Sequence, residues 1–530
     1  MDLISKKLIW DHLRLVNFSD YRYNDVLKSL YPPISCQTLD FKYLSLQIPT
    51  YFQKGTSLVK WSTFLNYYQG EAIHAYLPAP QCKEVVLNKV NNFTVPLCQN
   101  YDAEVFSDAY KVMSQFLHPY CDNSSVLSIE EAFDRMNLTK SAGRPWSGIV
   151  HDENGKCTKR GLFNDFPRLL SDNWISKFNT RFMFSGYTKE ELLLAEKTFY
   201  IDPNGMPVIP GTRLFFASDP VQVHQDMMLC GDANKKLYEC CWPSTPHALG
   251  WSKFHGNSEQ LFAALPERCI IADVSNKDAT TTKSSMYWCA QFTYDCLKLS
   301  ERTDHVLHKL CGSISATIYS LVMLPTGDVV SLTRGNCSGQ LNTSRDNTLN
   351  LFQVLIYDML IRGINPFLHL IVFFMIICGD DSVLDDRNFD RDHLVATFAT
   401  FGMRLKASVV DKKDVEFCSH KFVKIKDSLG MSHMLMALPE ERLLSSLYHG
   451  YKNLTETHIF ERLCCLSIEC FPYTWLYELI LDILDDLGAP HCYRLTIAQM
   501  ESLWYGWEVV VDVPMIASRY TQKSINRWLP

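Results

Sequence analysis

At 530 residues the chain exceeds what one hydrophobic core holds together, so several lobes are expected. Its 47% hydrophobic, 12% aromatic and 21% charged residues are ordinary globular material and exclude wholesale disorder. A net charge of −7 argues against a protein that coats nucleic acid indiscriminately, and leaves room for a nucleic-acid enzyme whose basic groups line a channel.

Residues 1 to about 135 mix short helical and extended patterns without a chemical signature; Ser128-Ile-Glu-Glu-Ala-Phe reads as a capped helix start. In Thr139-Lys-Ser-Ala-Gly-Arg-Pro-Trp146, Gly143 and Pro145 mark a fixed turn flanked by Lys140 and Arg144. Alone, that turn reads better as a surface loop. Lys189, Lys197 and Arg213 follow, and Pro203, Gly205, Pro207 and Pro210 make the stretch between the last two an extended connector. These three cations are candidates to converge on phosphates, with Arg213 offering a bidentate fork; solvated surface charge is the bland alternative.

Ile270-Ile-Ala-Asp273 is a short apolar strand ending in a carboxylate. Asp278 then stands near the start of an amphipathic helix carrying Met286, Cys289, Ala290 and Phe292, where a plain helix cap is the simpler role for it. Pro325-Thr-Gly-Asp328 is a turn between two apolar arms. In Arg334-Gly-Asn-Cys-Ser-Gly-Gln-Leu-Asn-Thr-Ser-Arg-Asp-Asn347, Gly335 and Gly339 predict a mobile loop holding Ser338. Thr343 and Asn347, four apart, share one face of the helix that continues through Leu349 to Leu360. That face could be the helix's solvent side.

Ile371 to Leu384, IVFFMIICGDDSVL, is an apolar run interrupted by Gly379-Asp380-Asp381. It predicts a tight hairpin with its acids at the tip, and adjacent carboxylates there call for a cation. Few hard oxygen ligands suit Mg²⁺ or Mn²⁺, which keep coordination sites for phosphate. His393 to Phe401 reads as a helix ended by Gly402, with Lys406 just beyond, and Glu416 to Phe422 as a short turn and strand. Trp475 to Leu487 is helical, and the segments around Trp504 and Trp507 pack core. No internal repeat or low-complexity linker separates the lobes, so they interleave.

The 19 cysteines follow no regular framework and MDLISKKLIWDHL lacks a signal-peptide pattern, so a reducing cytosol is expected. The adjacent pairs Cys240-Cys241 and Cys464-Cys465 read as buried thiols. Glycans on the sequons at Asn336 and Asn342 would block the loop just described, which argues against secretion. No apolar run reaches the roughly 18 residues of a membrane helix. The longest, Phe367 to Cys378, is interrupted by His369 and reads as core strand.

Taken in order, Ser141-x-Gly143-x-Pro145, Lys189 with Glu190-Glu191 and Arg213, Asp273-x4-Asp278, Ser338-Gly339-x3-Thr343-x3-Asn347, Gly379-Asp380-Asp381, Lys406 and Phe417-Cys-Ser-His420 resemble the motif series of RNA-dependent RNA polymerases of positive-strand RNA viruses. The match covers roughly residues 135 to 425. It looks closest to the picornavirus-like supergroup, with an astrovirus- or sobemovirus-like flavour in Gly335-Asn-Cys-Ser-Gly-Gln340 and Phe417-Cys-Ser-His420. Cys378 precedes Gly379 where that family commonly has Tyr.

The resemblance implies an α+β right-hand polymerase fold: fingers over 1–216, palm over 217–305, a fingers insertion over 306–336, palm again over 337–430, and a helical thumb over 431–530. It implies Asp273 and Asp380 as principal ligands of Mg²⁺ (or Mn²⁺) with Asp381 supporting, and Lys406 as proton donor to pyrophosphate. Lys189, Lys197, Arg213, Asp278, Ser338, Gly339, Thr343 and Asn347 would bind the nucleotide, and Ser141, Gly143 and Pro145 the RNA. Template and product RNA, nucleoside triphosphates and other viral replication proteins are the implied partners, in the host cytoplasm within membrane-associated replication complexes. A catalytically inactive RNA-binding scaffold on the same fold, or a reverse transcriptase, are the alternatives; the intact carboxylates count against the first, the Ser-Thr-Asn series against the second.

Overall fold

The structure, a computed structural model, describes residues 75–522, less 144–149, 176–182, 190, 325–328, 333, 449–454, 508–511 and most of 80–98 and 198–212. Arg144, Pro145, Glu190, Pro203, Gly205, Pro210 and the 325–328 turn therefore lie outside the described residues, as does everything before residue 75.

The architecture is α+β, as expected. At its centre is a four-stranded antiparallel sheet in the order Met375–Cys378, Asp381–Asp385, Arg268–Ser275, Arg404–Asp411. Period-two alternation sends Ile270, Ala272, Val274, Ile377, Leu384 and Leu405 to one face. That face packs on the helices Ala103–Cys121, Lys283–Cys296 and Thr343–Ile361. In the first of these, Phe106, Ala109, Tyr110, Met113, Leu117 and Cys121 recur at helical spacing and supply the buried stripe. The Thr343–Ile361 helix is buried all round from Arg345 to Met359, so its polar face is not a solvent side. The opposite face of the sheet carries Ile271, Ile376, Cys378 and Val383 against Trp242, Trp251 and Phe417.

A second sheet joins distant segments. Met183–Thr188 pairs antiparallel with Leu214–Ala217 and parallel with Leu321–Met323, which in turn pairs antiparallel with Val329–Ser331. The C-terminal helices, including Glu456–Cys470, Thr474–Asp486 and Ile497–Tyr505, enclose a separate core around fully buried Trp504, with Trp507 packed at its margin. The helix Ile129–Arg135 begins with the expected capping box, Ser128 and Glu131 each bonding the other's backbone N–H.

Several expectations need correction. Phe367 to Cys378 is not one core strand: Pro366–Val372 is a helix and only Met375–Cys378 is strand. Asn365 caps that helix, accepting from the N–H groups of Phe367 and Leu368 at 3.1 and 3.4 Å, and Pro366 occupies its first turn. Ile371 and Val372 are consequently 77% and 61% exposed. The connector after Lys197 is extended where it is described, with Tyr200–Ile201 pairing antiparallel with Pro207–Val208. Of the paired cysteines only Cys464 is buried; Cys240 and Cys241 are half-buried at and just past the C-terminal cap of the Pro220–Glu239 helix, and Cys465 is half-buried because consecutive helix positions point about 100° apart. No single described helix is long and apolar enough to cross a membrane.

One packing contact carries a pH signature. His433 Nδ1 lies 2.8 Å from Glu259 and Nε2 3.0 Å from Asp427, while the ring stacks on Tyr505 at 4.0 Å. Burial opposes protonation, but the hydrogen bonds to Asp427 and Glu259 outweigh it and raise the pKa. A raised folded-state pKa means that the stabilisation is complete below the unfolded value of about 6.5 and is lost as pH rises through the folded value. Melting temperatures of wild type and His433→Gln are expected to converge as pH rises above the unfolded value of about 6.5, with wild type the more stable at the acid end. A constant difference would assign the contact to packing alone.

Candidate active site

The Gly379-Asp380 turn closes a two-residue hairpin between Cys378 and Asp381, which pair directly. Gly379 has φ +66° and Asp380 does not share the left-handed region, the pattern of a type II′ turn with glycine first. The turn is held down by Thr348, whose Oγ1 accepts from Gly379 N–H at 2.8 Å, and by Asp380 O, which accepts from Val274 N–H at 3.2 Å. Asp380 thus stands at the tip, and Asp381 is the first residue of the return strand.

Register then assembles the rest. Asp381 pairs with Asp273, and Asp273 pairs with Lys406, so the three side chains lie in one row on the same face of the sheet. Lys406 Nζ is 3.7 Å from Asp273 Oδ2. Burial first, and then the charges of Asp380 and Asp273, push Asp381 up to about 8. Burial and the Asp273 charge likewise raise Asp380, although its carboxyl is open to the solvent of the groove. Hard oxygen donors that repel one another and are short of positive charge fit a divalent cation. Among the described residues no three acidic, His or Cys side chains already enclose a metal-sized point. A cation that draws most of its ligands from water and phosphate suits such a half-built site.

Across the groove, Lys189 and Arg213 come from the second sheet and the loop beside it, joined by a Lys189 N–H to Arg213 O bond of 2.8 Å. Both meet Glu191: Arg213 makes a fork to its carboxylate, with Nε at 2.8 Å, and Lys189 Nζ lies at 3.6 Å. Lys189 and Arg213 thus converge on one nearly buried acid, Glu191, and Lys197 is not part of that contact. Desolvation and the Arg213 charge lower the Lys189 pKa, and the Glu191 hydrogen bonds raise that of Arg213. The groove comprises two adjoining cavities of about 380 and 640 Å³, both lined by Arg213, Asp380 and Asp381. Ser338, Thr343 and Asn347 line the first; Lys197, Asp273 and Lys406 line the second.

The loop before the Thr343–Ile361 helix is pinned rather than mobile. A Cβ on Gly335, at φ +101°, would lie 2.6 Å from Asp278 O, and one on Gly339 would lie 2.2 Å from Phe216 O. Backbone passes too close at both points for any side chain. Ser338 Oγ is buried without a hydrogen-bond partner and borders the first cavity. Asp278 is not a cap: it sits in a single helical turn, Lys277–Thr280, and Thr282 caps the following helix. Its Oδ1 accepts from Asn347 Nδ2 at 3.2 Å, and burial pushes its pKa up to about 6 despite that bond. Asn336 and Asn342, the sequon asparagines, are 0% and 6% exposed.

Ser141 and Gly143 are not among the groove-lining residues; Gly143, at φ +77°, packs beside Ser185 on the Met183–Thr188 strand. Cys418 and Ser419 form a left-handed turn, φ 51° and 64°, that touches both cavities. Sequence reasoning missed Arg442 and Arg462, which reach the groove from two C-terminal helices whose apolar faces are otherwise occupied in core packing. It also missed Lys277, fully buried and bonded to Asn350, whose pKa burial lowers to about 8. No local pattern marks these residues; only long-range packing does.

One face of the central sheet gathers three carboxylates opposite an arginine and a lysine, an arrangement whose charges suit a polyphosphate and a divalent cation. The chain matches the family model of viral RNA-dependent RNA polymerase over residues 80–486 and belongs to that family. It is 26% identical over 390 residues to the genome polyprotein of plum pox potyvirus (strain El amar), covering 70% of this chain and 24% of that one. It is 24% identical over 446 residues to that of pea seed-borne mosaic virus (strain DPD1), covering 81% and 13%. The polyprotein of zucchini yellow mosaic virus (strain Reunion Island) is 26% identical over 423 residues, covering 76% and 13%. The chain thus spans a quarter or less of the length of these relatives. The family's activity is RNA-directed RNA synthesis, a nucleotidyl transfer that depends on divalent metal.

Proposed function

We propose that this chain extends an RNA 3′-hydroxyl on an RNA template, transferring nucleotidyl groups from nucleoside triphosphates during viral genome replication and transcription. One observation carries the reading: Asp273 and Asp381 in register across the sheet, Asp380 at the adjoining turn, and Arg213 with Lys189 facing them across one groove. Asp273 and Asp380 would hold Mg²⁺ or Mn²⁺, with Asp381 supporting. Bound divalent ions supply the charge neutralisation and hydroxyl activation that phosphoryl transfer requires. Arg213, pre-oriented by Glu191, and Lys189 neutralise the triphosphate, with Lys197 on the side of the second cavity. Lys406 gives a proton to the departing pyrophosphate. Asp278, Ser338 and Asn347 meet the ribose 2′-hydroxyl, Thr343 and Gly339 shape the pocket around it, and Ser141, Gly143 and Pro145 touch the RNA.

The fingers are assigned to 1–216 and 306–336, the palm to 217–305 and 337–430, and the thumb to 431–530. The parallel pairing of Met183–Thr188 with Leu321–Met323 supports grouping the insertion with the first segment, and the separate helical core supports the last. Template and product RNA and other viral replication proteins are the partners, and the host cytoplasm, in membrane-associated complexes, the location.

The test incubates the purified chain with homopolymer RNA, labelled nucleotide and Mg²⁺ or Mn²⁺, with and without primer. Template-dependent ribonucleotide incorporation that stops on chelation is expected; none under any of these conditions, from protein with a cooperative melt, would overturn the reading. Arg213→Lys replaces a bidentate fork with a point charge and is expected to lower kcat/KM for nucleotide about tenfold with RNA affinity nearly unchanged. Lost RNA binding with intact nucleotide kinetics would move Arg213 to the template path.

A further inference from the structure

Behind Asp278 and Asn347 runs a chain of buried amides outside the roles assigned above. Gln340 Nε2 donates to Asp346 Oδ2 at 3.4 Å and also to Asn336 Oδ1. Asn336 Nδ2 donates to Asn347 Oδ1 at 2.9 Å and to Thr343 O at 3.3 Å. Asn347 Nδ2 donates to Asp278 Oδ1 at 3.2 Å. Asn336 is 0% exposed, and Gln340 and Asn347 are both 7% exposed.

An amide can present either its oxygen or its NH₂ to a neighbour, so direction is set by what surrounds it. Here every choice is forced. Asp346 is held as an acceptor by the Arg345 fork, at 2.9 and 2.7 Å, so Gln340 must turn its NH₂ inward. Asn336 then has to offer its oxygen to Gln340, which leaves its NH₂ for Asn347 and for the Thr343 carbonyl, itself an acceptor only. Asn347 is left with its NH₂ toward Asp278. The backbone repeats the coupling, because Asn336 N–H donates to Asp278 O at 2.8 Å.

We propose that Asn336 and Gln340 are positioning residues for sugar selection: they fix the Asn347 amide, which lines the first cavity, so that an N–H stands beside the Asp278 carboxylate to which that amide is bonded. This rests on the reading of that cavity as a ribonucleotide site. A 2′-hydroxyl accepts from the first and donates to the second. A deoxyribose leaves both unpaired, which is how a polar site rejects an analogue lacking the hydroxyl. Without Asn336 the Asn347 oxygen loses its donor and the amide is anchored by Asp278 alone, so its second N–H is no longer held toward the cavity.

The test is the ratio of kcat/KM for a ribonucleotide to that for its 2′-deoxy counterpart, measured for wild type, Asn336→Leu, Gln340→Met and Asn347→Ala. Asn336→Leu keeps volume without burying a charge. It is expected to lower the ratio about tenfold, through the ribonucleotide, with the deoxynucleotide value within about twofold of wild type. General structural damage would lower both values together and leave the ratio alone. An unchanged ratio in Asn336→Leu with a lowered one in Asn347→Ala overturns the relay and leaves the ribose reading standing. A ratio unchanged in Asn347→Ala as well overturns the ribose reading itself. Should Asn336→Leu not fold, Gln340→Met decides, since loss of the outer amide frees Asn336 to rotate: a lowered ratio supports the relay and an unchanged one overturns it.

Discussion

Asp380→Ala is expected to reduce nucleotide incorporation about a thousandfold or more, and Asp273→Ala comparably, because each removes several kcal/mol of charge stabilisation from the transferring phosphoryl group. Folding should hardly change in the first case. Asp380 occupies the tip of a turn held by its backbone and by Thr348, and its side chain is open to the groove. RNA affinity should persist as well, since removing an acid takes no cation from the groove. Single-turnover extension of a primed template, beside a thermal melt and an RNA-binding titration, measures all three. Activity within tenfold of wild type for Asp380→Ala would remove the carboxylates from the chemistry.

The largest expected effect on stability lies away from the groove. Lys253 and Glu469, both 0% exposed, form a 2.6 Å ion pair between the segment preceding the Asn257–Ala264 helix and the C-terminal core. Lys253 Nζ also lies 5.0 Å from the Trp504 ring centroid, and Tyr520 OH donates to Glu469 Oε1 at 3.0 Å. Lys253→Met strands a carboxylate in apolar surroundings and is expected to cost about 3–5 kcal/mol. Removing both charges, Lys253→Met with Glu469→Leu, should recover much of that, because the desolvation penalty disappears with the pair. Denaturant titration of the two variants checks this. A single mutant that loses less than about 1 kcal/mol would mean that water reaches Glu469.

The elements that local chemistry dictates were legible from residue order alone. The Ser128 capping box, the Gly379-Asp380 turn, the helix from Thr343 and the apolar arms of the central strands each depend on contacts within a few residues. The ordered motifs identified the family for the same reason: each is a short segment whose residue types are set by its own turn or strand. Local patterning misled where an apolar run had two solutions. Phe367 to Cys378 divides into helix and strand because Asn365 and Pro366 start a helix whose apolar face then stays exposed.

What order alone left open was convergence. That Lys406 stands beside Asp273 follows from strand register, and a slip of one residue would have sent it to the opposite face. That Glu191 sits between Lys189 and Arg213, that Arg442 and Arg462 reach the same groove, and that Asn336 bonds Asn347 all depend on segments far apart in the chain being packed together. Residue order determined the turns, the caps and the polymerase motifs of this protein, because those are short-range preferences. The tertiary structure alone decided which charges meet, because direction and distance between remote side chains exist only once the sheets and helices have closed on their cores.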